Sequence, residues 1–116
     1  MKRTALTLLA IGLIAAPAAS LAKPKPAAVD GKAAFAHRCG VCHRDMGMGT
    51  LAVSRRMGFG MGPDMVKAWL ENRNDLTADY VVSAIRNGVY SMPPLSRVEV
   101  SDADAAAIGR YLAKKK

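Results

Sequence analysis

The chain has 116 residues, 51% apolar but only 5% aromatic, with a formal net charge of +8. That length accommodates one small domain. Positive charge without aromatic interleaving argues against nucleic acid and for an acidic protein partner or an anionic membrane face, with plain solubility as the competing account.

In chain order, Lys2 and Arg3 precede an apolar run over residues 6–16, and Ser20 and Ala22 are small residues at the −3 and −1 positions of a cleavage after Ala22. This is the pattern of a secretory signal peptide over residues 1–22. A membrane anchor is the rival reading, and the run is too short for it. Cleavage removes 22 of the 116 residues and leaves 94; without Lys2 and Arg3 the charge falls from +8 to +6. The expected compartment is the periplasm. So small a domain buries little surface of its own and needs a staple or a cofactor. Residues 23–29 form a Pro/Lys linker, and the domain is expected over residues 30–116.

Asp30 is a plausible N-cap. Gly31, Ala34 and Phe35, spaced i, i+3, i+4, predict a short amphipathic helix over 31–38. It runs into Cys39-Gly40-Val41-Cys42-His43. Positions i and i+3 are neighbours on a helical turn, so both thiols reach one edge of a porphyrin and can add across its two vinyl groups. His43 follows and offers an imidazole nitrogen to the iron. C-x-x-C-H is the pattern of c-type haem attachment, here of one covalent haem c. Two other chemistries use parts of it. A dithiol redox pair normally accompanies a βαβ pattern, and no convincing strand run is present. A zinc site from His37, Cys39, Cys42 and His43 would crowd four ligands into seven residues, whereas zinc modules separate two pairs. Because the motif holds the only two cysteines, no disulfide remains.

Residues 44–62 contain Met46, Met48, Met57 and Met61 among five glycines and read as a loop. These methionines suit packing at a haem edge or a soft contact surface, and copper(I) binding is a further option. Pro63 and Asp64 open a predicted helix over 63–73 with Met65, Val66, Trp69 and Leu70 inward. Thr77 caps a helix over 78–87 with Val81, Val82 and Ile85 inward, and Gly88 stops it. Ser101 caps the last helix, whose inward face is Ala105, Ile108, Tyr111 and Leu112. Lys114, Lys115 and Lys116 suit its C-terminus.

The iron needs a second axial ligand, and Met92 is the best candidate. It lies 49 residues after His43, beyond two predicted helices, so the chain has room to wrap the haem and return. Pro93 and Pro94 stiffen its loop. Met61 and Met65 lie only 18 and 22 residues past His43. A thioether opposite histidine raises the reduction potential.

The early C-x-x-C-H and the late Met92-Pro93 together resemble a class I c-type cytochrome over roughly residues 30–112. The resemblance implies an all-α fold of about four helices around one haem, with Gly31 and Phe35 of the first helix meeting Tyr111 of the last. It also implies an indole, here Trp69, near a haem propionate, with plain packing as the alternative. A glycine–proline carbonyl that usually accepts the axial histidine's other N–H is missing, since Thr50 follows Gly49; the Thr50 or Pro63 carbonyl could replace it. A narrower similarity links residues 80–93 and the Met46-Gly47-Met48-Gly49 stretch to the cytochrome subunit of p-cresol methylhydroxylase. The expected function is one-electron transfer rather than independent catalysis. The donor is expected to be a periplasmic dehydrogenase and the acceptor a cytochrome or terminal oxidase. The alternative is a permanent subunit of a flavoprotein or quinoprotein dehydrogenase.

Overall fold

The computed structural model describes residues 27–113. The expected signal peptide, most of the linker and Lys114 to Lys116 lie outside the described residues. The described part is all-α, as expected: α1 (Gly31–Arg38), α2 (Gly40–His43), α3 (Met48–Met57), α4 (Ala78–Asn87) and α5 (Asp102–Ala113), with 3-10 helices at Pro63–Ala68 and Leu70–Asn72. Among the described residues there is no strand, only an isolated bridge between Val89 and Met92. No helix among them is long and apolar enough to cross a membrane.

The helix starts follow the caps. The Asp30 carboxylate accepts from the Lys32 N–H at 2.9 Å, the Thr77 hydroxyl from Tyr80 at 3.2 Å and the Ser101 hydroxyl from Asp104 at 3.1 Å. Each satisfies an amide that the helix itself leaves without a partner.

α5 is the spine. α1 crosses it where Gly31 lies so close that a Cβ would stand 2.2 Å from the Ala107 carbonyl oxygen. α4 crosses it where a Cβ on Gly109 would stand 2.9 Å from the Ala78 carbonyl oxygen. Two neighbours on two faces explain why Ala107 and Gly109 are buried along with the predicted Ala105, Ile108 and Leu112. Tyr111 is half-buried and packs its ring 6.0 Å from that of Phe35, which is wholly buried. Phe35, Val81, Ile85, Val100 and Ile108 form the centre of the core.

Two sequence expectations fail. The stretch read as a loop contains α3. Of its glycines only Gly49 lies inside the helix; Gly47 precedes it, and Gly58, at φ 75°, ends it. The Gly58 N–H bonds to Arg55 and the Phe59 N–H to Ser54, the paired bonds of a left-handed helix end. The buried face of α3 is polar, Thr50 and Ser54 spaced i, i+4, so no apolar stripe announced it. The predicted helix over 63–73 is instead two 3-10 segments broken at Trp69, whose ψ is 127°. The Asn72 amide takes the Val66 carbonyl at 2.8 Å, the acceptor an α-helix would have given to Leu70. With three residues per turn, Met65 and Ala68 share the buried face and Val66 turns outward.

Candidate functional site

The end of α1 delivers Cys39 into α2, where Cys42 and His43 both donate their amides to the Cys39 carbonyl, at 3.1 and 3.0 Å. This one turn sets the two thiols and the imidazole side by side. Gly47 and Gly49 let the following chain close over it. A Cβ on Gly47 would lie 2.5 Å from the Cys42 carbonyl oxygen, and one on Gly49 would lie 2.7 Å from the His43 ring. Two of the glycines that obscure α3 in the sequence, Gly47 and Gly49, pack against the motif.

Cys39, Cys42 and His43 line a single cavity of about 960 Å³ together with Met92. Its body is apolar, built from core residues such as Phe35, Leu76, Ile85 and Ile108. The volume stands at the upper end of the roughly 300–1,000 Å³ typical of small-molecule sites. Met92 arrives on the loop after α4, followed by Pro93, and its backbone pairs with Val89 in both directions at 2.9 and 3.0 Å. The four sequence-predicted site residues, from two separated stretches, are thus brought to one cavity. Met48 and Met57 also line it, while Met46 and Met61 are exposed elsewhere.

The electrostatics suit a haem better than the rival chemistries. Burial, and then Cys42, pushes the Cys39 thiol up to about 11. A redox-active dithiol needs the opposite shift. Among the described residues no group of three or more His, Cys, Asp and Glu side chains is placed to hold a metal ion, so the crowded zinc arrangement does not form. Burial holds His43 below the usual imidazole range, which keeps it neutral, the form that binds a metal. Its Nδ1 is enclosed and has no hydrogen-bond partner among the described residues. Neither the Thr50 nor the Pro63 carbonyl takes it. A neutral imidazole, two thiols and a thioether around a large apolar cavity fit a porphyrin iron in both donor type and shape.

Some functional-looking residues play other parts. Arg38 pairs with Asp104 at 3.8 Å. Arg44 makes a two-pronged contact with Glu71, at 2.8 and 3.0 Å, and lies over the Phe35 ring. The Tyr111 hydroxyl donates to the same carboxylate. This network ties the segment after the motif to the 3-10 region and to α5, and its separations of 27 and 40 residues hid it from the sequence. Arg55 and Arg56 remain exposed on the cavity lining, with Arg56 stacked 3.5 Å from the centre of the Tyr90 ring. Trp69 does not line the cavity; its indole N–H is enclosed and has no partner among the described residues.

Helices packed in this order, with C-x-x-C-H after the first and the Met-Pro turn after α4, are those expected of a class I c-type cytochrome. Residues 26–112 match the family described as cytochrome C oxidase, cbb3-type, subunit III, and the chain belongs to that family. Its work is therefore haem-based electron transfer. No curated protein and no solved structure matches the chain.

Proposed function

We propose that the protein is a periplasmic one-electron carrier with one covalently attached haem c, ligated by His43 and Met92. The observation that carries this reading is the convergence of Cys39, Cys42, His43 and Met92 on one apolar cavity. Cys39 and Cys42 would tether the group through thioethers, each an addition of S–H across a vinyl double bond that needs no oxidant or reductant. When bound, the cofactor supplies ferrous–ferric chemistry. The chain would hold the ring through Cys39 and Cys42, surround it with apolar side chains, and offer the iron His43 and Met92.

An anaerobic redox titration tests the function. The expected result is a reversible one-electron transition, with Met92→His lowering the midpoint by about 0.1–0.3 V, a fraction of the roughly 0.8 V that axial ligands span. A midpoint unmoved by Met92→His would remove Met92 from the iron.

Membership in a family described as an oxidase subunit supports a terminal oxidase as acceptor. Exposed Arg55 and Arg56 on the cavity lining support docking of an acidic partner there. A second reading is a fixed cytochrome subunit of a flavoprotein or quinoprotein dehydrogenase, of the p-cresol methylhydroxylase kind. It is favoured by apolar exposure at the motif, where Val41 is 87% and Met48 78% exposed. Gel filtration of protein from its native host separates the two: co-elution with a dehydrogenase identifies the subunit, and a lone small species identifies the shuttle.

A further inference from the structure

The loop that carries Met92 has little apolar material to hold it. Between Gly88 and Ser101 only Val100 is buried, and Val98 is 94% exposed. Tyr90, two residues before Met92, adopts φ 53°, an uncommon conformation for a bulky side chain. A conformation of that kind persists only where the surroundings over-determine it. On the N-terminal side the restraint is plain: Gly88 sits at φ 72°, its missing Cβ 2.5 Å from the Met92 carbonyl oxygen, and Val89 pairs with Met92.

The restraint on the C-terminal side is Arg86. Its side chain is only 16% exposed, and its guanidinium reaches three acceptors beyond α4. It donates to the Leu95 carbonyl at 3.2 Å, to the Val100 carbonyl at 2.9 Å and to Asp102 Oδ1 at 2.8 Å. Arg97 holds the other oxygen of Asp102 at 2.9 Å. The Leu95 amide meanwhile bonds to the Ile85 carbonyl at 2.8 Å. Arg86 thus gathers both ends of the segment from Leu95 to Val100 and the first residue of α5 against the last turn of α4. Leu95 is joined to Met92 through two prolines, whose fixed φ angles leave few soft torsions. Where Leu95 is held, Met92 has little freedom to move.

We propose that Arg86 is a positioning residue for Met92: by fixing the Leu95–Val100 strap it determines how firmly the thioether occupies the iron's second axial position. The inference rests on the reading of Met92 as that ligand. A lysine is a point charge on a flexible stem and does not reproduce the planar fork, so Arg86→Lys gives partial function.

The test uses the full holoprotein. An exogenous ligand must displace Met92 to bind, so imidazole affinity, followed by absorption spectroscopy of the oxidised form, reads how firmly the thioether is held. Arg86→Gln raises imidazole affinity about tenfold, as the loss of hydrogen bonds from a charged group predicts. It also weakens the thioether–iron absorption band. Arg86→Lys falls between Arg86→Gln and the unaltered protein. Met92→Ala removes the band and gives the highest affinity. If Met92→Ala behaves in this way while Arg86→Gln stays within twofold of the unaltered protein, the positioning role is overturned and Met92 remains the ligand. If Met92→Ala changes neither band nor affinity, the ligand reading fails and the proposal fails with it. Should Arg86→Gln not fold, Arg86→Lys and Asp102→Asn decide. An affinity increase of about threefold in either supports the proposal, and none in both overturns it.

Discussion

Replacing Cys39 and Cys42 together with alanine is expected to abolish all haem that survives denaturation. The effect is all-or-none because the described residues and the full sequence contain no third thiol that could form a thioether. Either single replacement leaves one tether and a haem that still stains on a denaturing gel. The double variant keeps His43 and Met92 and so retains loose binding under native conditions, which separates attachment from ligation. Its stability should fall as well. A cavity of about 960 Å³ lined by core residues is filled only while a ligand occupies it, and whatever binds the folded state alone stabilises it by mass action. Haem stain persisting in the double variant would show that these thiols are not the attachment points.

Much of the scaffold was legible because local chemistry dictates it. Asp30, Thr77 and Ser101 announce helix starts through side-chain oxygens that cap free amides, and each does so in the structure. α4 reads cleanly from Val81, Val82 and Ile85 because one face is apolar and the other is not. The motif is legible because five consecutive residues carry it. α3 is hidden in the sequence for a physical reason: its buried positions are Thr50 and Ser54, and its glycines belong to its ends and to the contact with His43. Near the end of Pro63–Ala68, Asn72 takes the Val66 carbonyl six residues back, a contact invisible to periodicity. At the site, the sequence supplied the four candidate cofactor-binding residues but not what holds them. The Arg44–Glu71–Tyr111 network and the Arg86 contacts join residues far apart along the chain. Only folding brings them together.

The α1–α5 crossing yields the largest expected stability change, at Gly31. A Cβ there would lie 2.2 Å from the Ala107 carbonyl oxygen, 2.8 Å from its carbon and 2.8 Å from the Tyr111 Cβ. The obstacle is backbone in the middle of α5, so no side chain can swing aside to relieve it. Alanine is the better helix former by about 1 kcal/mol in a helix interior, and by less in the first turn. Overpacking typically costs about 1–3 kcal/mol, occasionally more. Sterics therefore win, and Gly31→Ala should destabilise the holoprotein by about 2–3 kcal/mol. For a domain of this size each kcal/mol lowers Tm by roughly 4–8 °C. Gly62→Ala is the control: its φ is −86° and nothing lies within 4 Å of its missing Cβ. That change should be neutral or stabilise by about 0.4–1 kcal/mol through the unfolded chain. Denaturant unfolding of both variants, followed by far-ultraviolet circular dichroism, measures the difference. Equal midpoints would mean that α1 and α5 do not meet at Gly31. The placement of Phe35, and with it the floor of the haem cavity, would then need another explanation.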